Sequence, residues 1–148
     1  MKSLISFIDE GAEEKNLDKL RILVVSKSTD KLFHTAQRIA DESKKLGHEV
    51  FVVDILGAYI SFEKDTYKVF NINEDVGFDI NSNNTIAIIR GAVRFKDSYL
   101  DFLSQLEKIG ICMVNSRETV SICADKYRTY LKLQEYGLIQ PKTVLIPS

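Results

Sequence analysis

The chain has 148 residues, of which 45% are hydrophobic and 28% are charged, and its formal net charge is −1. These values suit one soluble globular domain and exclude a general electrostatic attraction to nucleic acid or to an anionic membrane, so an anionic ligand needs a local cluster of cations. No apolar run is long enough to span a bilayer, the start of the chain lacks a signal-peptide pattern, and Cys112 and Cys123 are too few for a disulfide framework. We therefore expect a cytoplasmic protein with reduced, partly buried thiols.

The first 19 residues read as an extension of the domain. Leu4, Ile5, Ile8 and Ala12 fall on one helical face, and acidic residues and lysine occupy the rest. This pattern predicts a short amphipathic helix packed on the edge of the domain. A dimerisation arm or a partner-docking arm is the alternative.

Residues 20–55 predict the first structural unit. Residues 20–26 form a near-continuous apolar run rich in β-branched side chains, which is typical of a strand covered on both faces in a parallel sheet. A polar cap at residues 28–30 and apolar positions from Leu32 onward predict a helix that ends at Gly47. Residues 49–55 predict a second buried strand. Strand, helix and strand in this order indicate a right-handed crossover and an α/β fold.

Three further elements follow along the chain. Alternating side chains at residues 67–72 predict an exposed hairpin or an insertion at the sheet edge. The run at residues 85–89 predicts a third buried strand. Asp97 can cap the next helix, which ends at Gly110.

The last part of the chain predicts a fourth strand at residues 111–114, a polar turn, a short helix, a break at residues 124–125 and a second helix from Lys126 to about Tyr136. Pro141 and Thr143 predict the start of another strand. We therefore expect a domain over residues 20–140, with residues 141–148 opening a following domain that is absent. The predicted fold class is α/β, a three-layer Rossmann-like domain with a mostly parallel sheet of four or five strands.

The ends of the predicted strands carry most of the candidate site residues. In an open parallel sheet, ligands gather at the carboxyl ends of the strands. The candidate substrate-binding residues there are Ser26, Lys27, Arg90, Gly91, Asn115 and Ser116, with Asp54 at the end of the second strand. Their donors and two positive charges would suit a carboxylate or a phosphate, although loops at such ends are polar in many proteins.

Lys126 is the single cation whose position most suggests a function, because it directly follows Asp125 at a helix start. It is either a solvated first-turn lysine or a point charge that reaches a phosphate. His34 and His48 have no zinc-site spacing with the two cysteines, so no metal site is expected. The chain also lacks a nucleophile elbow, a Walker loop and a GxGxxG motif, and no catalytic residue is assigned.

The ordered set of residues in the last third of the chain resembles the amino-terminal part of ATP-grasp ligases of the RimK type, which are similar to ribosomal-protein glutamate ligases and, more distantly, to glutathione synthetases. The resemblance covers residues 19–148 and leaves the extension outside it. The residues that match the order and spacing of the motif are Asn115, Ser116, Asp125, Lys126, Leu131, Gly137, Pro141 and Thr143.

The resemblance implies that residues 20–140 are a pre-ATP-grasp domain on the substrate side of a carboxylate–amine ligase. ATP would phosphorylate the acid, and an amine would attack the acyl phosphate. Lys126 would contact the nucleotide phosphate, and a small acid or a peptide would bind near Arg90. The adenine pocket and the magnesium ligands would lie in the absent domain, so the chain alone would be inactive.

Two other functions stay open. A flavodoxin-like flavin or nucleotide module would use the hydroxyl-rich loop after the first strand, although that loop lacks the glycine or asparagine of a tight phosphate nest. A non-catalytic interaction domain would use the amino-terminal arm, and a homo-oligomer is compatible with that arm.

Overall fold

The computed structural model describes residues 19–29, 31–32, 34–72, 74–90 and 97–146. The predicted amino-terminal helix therefore lies outside the described residues, apart from Lys19. In chain order the elements are β1 (Arg21–Ser26), β2 (Ser28–Thr29), β3 (Lys31–Leu32), α1 (His34–Lys45), β4 (Glu49–Asp54), β5 (Ala58–Glu63), β6 (Thr66–Asn71), β7 (Phe78–Ile80), β8 (Thr85–Ile89), α2 (Asp97–Ile109), β9 (Cys112–Val114), α3 (Arg117–Cys123) and α4 (Lys126–Glu135).

A four-stranded, fully parallel sheet forms the centre of the fold, with the strand order β4-β1-β8-β9. β1 lies between β4 and β8, and its residues from Ile22 to Ser26 are all buried. The apolar run explains this position, because an interior strand of a parallel sheet is covered on both faces. The four predicted strands, their parallel direction and the α/β class are confirmed.

Alternating side chains of β1 divide the core into two clusters. Ile22 and Val24 pack with Ala36 and Ala40 of α1 on one face of the sheet. On the other face, Leu23 belongs to a larger cluster with Val25, Val53, Leu103 and Leu106. α1, the sheet and the elements around α2 thus make three layers, as expected.

The predicted hairpin is confirmed, and part of it is exposed as expected, because Phe62 and Tyr67 are 59% and 38% exposed, but another part of it packs into the core. β5, β6 and β7 form a separate three-stranded antiparallel sheet. Val69 of β6 and Ile80 of β7 are 0% and 1% exposed and belong to the larger core cluster. The local alternation of apolar and polar residues indicated strands, but it held no information about which face another layer would cover.

The helix after β1 begins later than predicted. α1 begins at His34, because Ser28 and Leu32 pair with each other in the small antiparallel ladder of β2 and β3. Leu32 therefore belongs to a strand and not to the helix. The predicted cap at Ser28 or Thr29 is wrong, and Asp30 lies outside the described residues.

The two carboxyl-terminal helices and the break between them are confirmed. Asp125 is the N-cap of α4, and Gly137 follows the helix with a φ of +67°. Such a positive φ suits glycine at the end of a helix. The strand expected from Pro141 is absent from the described segment, since residues 138–146 lie in no helix or strand. Ile139 in this segment is 100% exposed.

Both thiols are exposed, which corrects the expectation that they are partly buried. Cys112 lies on β9 at the edge of the parallel sheet, and Cys123 ends α3, in which no residue is buried. Among the described residues, no helix has the length and apolar character needed to cross a membrane.

Candidate functional site

Three of the polar residues predicted at the strand ends, Ser26, Asp54 and Arg90, lie side by side at the carboxyl edge of the parallel sheet. Ser26 pairs with Asp54 in the ladder between β1 and β4. On the other side, the ladder pairs Val25 with Ile89, and the backbone N–H of Arg90 donates to the carbonyl of Val25 at 2.8 Å. Arg90 therefore lies directly beside Ser26, at the end of the neighbouring strand.

This edge contains the point where the connections of the sheet change direction. The helix after β1 covers one face and leads to β4, whereas the helix after β8 covers the other face and leads to β9. A crevice opens outside the carboxyl ends of two such neighbouring strands, and ligands of open α/β sheets bind there. Ser26 and Arg90 stand on the two sides of that crevice.

A cleft of about 400 Å³ lies at this position, between α1 and the end of β8. Arg90 lies two residues beyond Ile88, so strand alternation directs its side chain to the face that carries α1. The cleft contains two guanidinium groups and one carboxylate, which leaves a net positive charge for an anionic ligand. Its lining residues are Thr35, Arg38, Ile39, Glu42 and Arg90.

The hydroxyl of Ser26 is the most informative polar group beside the cleft. Ser26 is 1% exposed, and its Oγ has no hydrogen-bond partner among the described residues. Ser26 follows Ile22 and Val24 in the alternation, so it lies on the same face as the side chain of Arg90. A buried hydroxyl without a partner costs free energy, and a ligand atom would satisfy it.

Two of the other residues predicted at the strand ends, Asp54 and Ser116, make hydrogen bonds within the fold. Asp54 accepts a hydrogen bond through its Oδ1 from the backbone N–H of Leu56 at 3.1 Å. Ser116 is the N-cap of α3, and its Oγ accepts from the N–H of Thr119 at 3.2 Å. Asn115 is exposed beside it, Lys27 is half-buried after β1, and Gly91 lies outside the described residues.

Lys126 does not line this cleft. It is the first residue of α4, it is exposed, and α4 packs against α3. The carboxylate of Asp125 accepts from the backbone N–H groups of Tyr127 and Arg128 at 2.8 and 2.9 Å, so it orients the start of the helix. A phosphate role for Lys126 stays a prediction.

Sequence reasoning missed three polar residues of the cleft, namely Thr35, Arg38 and Glu42. They lie on α1 at three- and four-residue intervals together with Ile39, on a face distinct from the buried residues Ala36, Ala40 and Ser43. The spacing was visible in the sequence, but only the packing of α1 beside β8 shows that this face borders the crevice.

The described residues also contain no group of three or more histidine, cysteine or acidic side chains that could hold a metal ion. The cations of the cleft fit a carboxylate or a phosphate by charge and by hydrogen-bonding capacity. The cleft therefore offers hydrogen-bond donors and positive charge to an anionic group.

No protein-family model matches the chain. Individual proteins do match it. The chain is 30% identical over 125 residues to a probable α-L-glutamate ligase of Nitrosococcus oceani, and the matched residues are 84% of this chain and 39% of that protein. It is 28% identical over 123 residues to the tetrahydromethanopterin:α-L-glutamate ligase of Methanosarcina acetivorans, covering 81% of this chain and 38% of that protein.

A shorter match is also to a ligase of glutamate. The glutamate–LysW ligase ArgX of Sulfolobus acidocaldarius is 35% identical over 63 residues, which are 43% of this chain and 22% of that protein. The chain thus spans about two fifths of the length of the ligases of Nitrosococcus oceani and Methanosarcina acetivorans. The resemblance inferred from the motif residues is confirmed: the chain is related to the RimK-like α-L-glutamate ligases.

Proposed function

We propose that this chain is the substrate-side domain of an ATP-dependent carboxylate–amine ligase and that its cleft holds the carboxylate of the acid substrate. The observation that carries the proposal is the position of Arg90, which lines the cleft at the crevice between β1 and β8. The unpartnered hydroxyl of Ser26 lies next to it in the row.

The chemistry of such a ligase explains why these groups would be needed. A carboxylate must be held in one orientation before it is activated, and a bidentate guanidinium does this with both geometry and charge. Arg90 would bind one end of the substrate, and Ser26 would donate a hydrogen bond to it. The remaining predicted contacts are Lys27, Gly91, Asn115 and Ser116.

The nucleotide part of the proposal depends on Lys126 and on a following domain that would begin within residues 141–148. When bound with Mg²⁺, ATP supplies the phosphoryl group that activates the carboxylate, and the amine then displaces phosphate. Catalysis of this kind consists mainly of positioning and charge stabilisation. Lys126, exposed at the start of α4, would hold a phosphate oxygen.

The first experiment reads the gene past the codon for Ser148 and expresses the whole product. Phosphate release from ATP is then measured with L-glutamate and a panel of carboxylic acids. In that protein, Arg90→Gln should raise the KM for the acid by about tenfold or more, because a hydrogen bond to a charged group is worth about 1.5–3 kcal/mol. The KM for ATP should not change.

Lys44→Gln is the matched control, since Lys44 is exposed in the last turn of α1, away from the cleft. An unchanged KM for the acid in Arg90→Gln would contradict the substrate role of the cleft. Lys126→Ala should weaken nucleotide binding or turnover with the fold intact. Unchanged ATP kinetics in Lys126→Ala would remove the phosphate assignment and leave the cleft proposal standing.

A further inference from the structure

We propose that a cavity between α2 and the hairpin of β5 and β6, here called the hairpin pocket, binds a flat aromatic carboxylate. Its volume is about 300 Å³, which suits one small ligand. Phe62 of β5 and Tyr67 of β6 form its aromatic wall, and the last turns of α2 contribute Gln105, Lys108 and Ile109. None of these residues lines the cleft of the proposed ligase site, so the pocket is independent of that function.

The hairpin pocket and that cleft lie on opposite faces and at opposite edges of the parallel sheet. α1 borders the cleft, whereas α2 packs on the other face of the sheet. The last turn of α2 leads into the amino end of β9, and Arg90 follows the carboxyl end of the neighbouring strand β8. The five residues of β8 separate the two edges by about 13 Å. A small ligand in the hairpin pocket therefore does not contact the cleft.

The register of the hairpin explains the aromatic wall. Ile60 pairs with Val69 in the larger core cluster, and Phe62 pairs with Tyr67 two residues further along. Paired and alternate residues point to the same side of a sheet, so the two rings continue the core-facing surface to its end. There they are 59% and 38% exposed, and their centroids lie 4.7 Å apart. A further aromatic ring can pack against this pair through offset or edge-to-face contacts.

Lys108 decides which charge the ligand carries. Within the described part of the chain its ammonium group makes no hydrogen bond or ion pair, and no acidic side chain lines the hairpin pocket. Gln105 lies three residues earlier on the same side of α2, and its amide can donate a second hydrogen bond. One positive charge balances one negative charge, so a carboxylate suits the pocket better than a dianionic phosphate.

The end of α2 does not reverse this preference. The carboxyl end of a helix carries a partial negative charge of about half a unit, which is smaller than the full positive charge of Lys108. Two of the last carbonyl groups are also satisfied within the fold. The N–H of Gly110 donates to the carbonyl of Glu107, and the N–H of Ile111 donates to that of Leu106, both at 3.0 Å.

The test uses 2-naphthoate, an aromatic carboxylate that fluoresces. The chain contains no tryptophan, so no indole emission overlaps with the signal of the probe. Its fluorescence anisotropy is followed as the whole chain is added, and the fitted Kd is compared between variants. Phe62→Ala should raise the Kd about tenfold, because it removes one ring of the aromatic wall. Lys108→Gln should raise it about fivefold, the upper range for an ion pair that is open to solvent.

Two substitutions of the same chemistry elsewhere in the chain are the controls. Tyr59 points to the opposite face of β5, where its ring stacks on Phe70, so Tyr59→Ala should leave the Kd unchanged. Lys44→Gln removes an exposed lysine from the last turn of α1 and should also have no effect. The neutral probe 2-naphthamide should bind the wild type about fivefold more weakly than 2-naphthoate, and Lys108→Gln should not change its Kd.

An unchanged Kd for 2-naphthoate in Lys108→Gln or in Phe62→Ala overturns the proposal, as does a lack of saturable binding. An equal rise in Tyr59→Ala and Phe62→Ala does the same, because the probe would then not distinguish the two faces of β5. If sedimentation shows a dimer that Phe62→Ala dissociates, a second copy occupies the hairpin pocket and the proposal is wrong. Urea unfolding checks that each variant is folded. None of these measurements uses ATP or a ligase substrate, so their outcome is separate from that of the ligase assay.

Discussion

Substitution of Ser26 distinguishes a binding role of its buried hydroxyl from a structural role. Its Oγ has no described partner, so Ser26→Ala should keep the free energy of unfolding or raise it by up to about 1 kcal/mol while weakening acid binding in the whole enzyme. Urea unfolding measures the stability. Thr85 is the control, because its buried Oγ1 accepts from the N–H of Asn81 at 3.1 Å. Thr85→Val should cost about 1–3 kcal/mol. A comparable loss in Ser26→Ala would show that its hydroxyl is structurally satisfied.

Glu49 makes the clearest contribution to acid sensitivity. Hydrogen bonds from Lys19 at 2.8 Å and from Arg21 at 3.2 Å lower the pKa of its carboxyl from the ordinary 4.5. A lowered pKa in the folded state means that the stabilisation is complete above the unfolded value and is lost as the pH falls through the folded one.

The prediction for Glu49 concerns the difference in the free energy of unfolding between the wild type and Glu49→Gln. Glu49→Gln should be slightly less stable than the wild type near neutral pH, and the difference should vanish in acid below the folded pKa. Urea unfolding at a series of pH values measures it. Added salt should also reduce the difference, since the pair is exposed. A difference that grows in acid would contradict the assigned sign.

At the scale of single elements, the start of α4 depends on one carboxylate. Asp125 accepts from two backbone N–H groups that the helix itself leaves without partners. Asp125→Ala should cost about 1 kcal/mol of local helix stability, seen as faster hydrogen exchange of α4 amides. Asp125→Asn keeps the cap and should exchange almost as slowly as the wild type. Equal exchange in all three chains would mean that the cap contributes nothing to α4.

At the scale of the whole molecule, the larger buried core includes α2, whereas no residue of α3 or α4 is buried, so we expect α2 to contribute more to stability. Leu103 is 0% exposed and belongs to the larger core cluster, whereas Leu131 on α4 is 41% exposed. Leu103→Ala should reduce the free energy of unfolding by about 2–5 kcal/mol. Leu131→Ala should change it by about 0.5 kcal/mol or less in urea unfolding. Equal losses would place α4 in the cooperative core.

The features predicted correctly from the sequence are those with local signals. The apolar run before Ser26 is enough to indicate a buried strand, and the cap at Asp125 is enough to separate α3 from α4. The start of α1 was predicted too early, because polar residues at 28–30 can cap a helix as readily as they can turn a small ladder. The local sequence pattern therefore does not distinguish the two alternatives.

The candidate site shows the same division. The sequence by itself determined the α/β class, the four parallel strands and the set of polar residues at their carboxyl ends, since strand periodicity and end positions are local properties. Only the tertiary structure placed Arg38 of α1 in the same cleft as Arg90 and buried the Ser26 hydroxyl. These features depend on the strand order and on where each helix packs, and both are set by contacts between residues far apart in the chain.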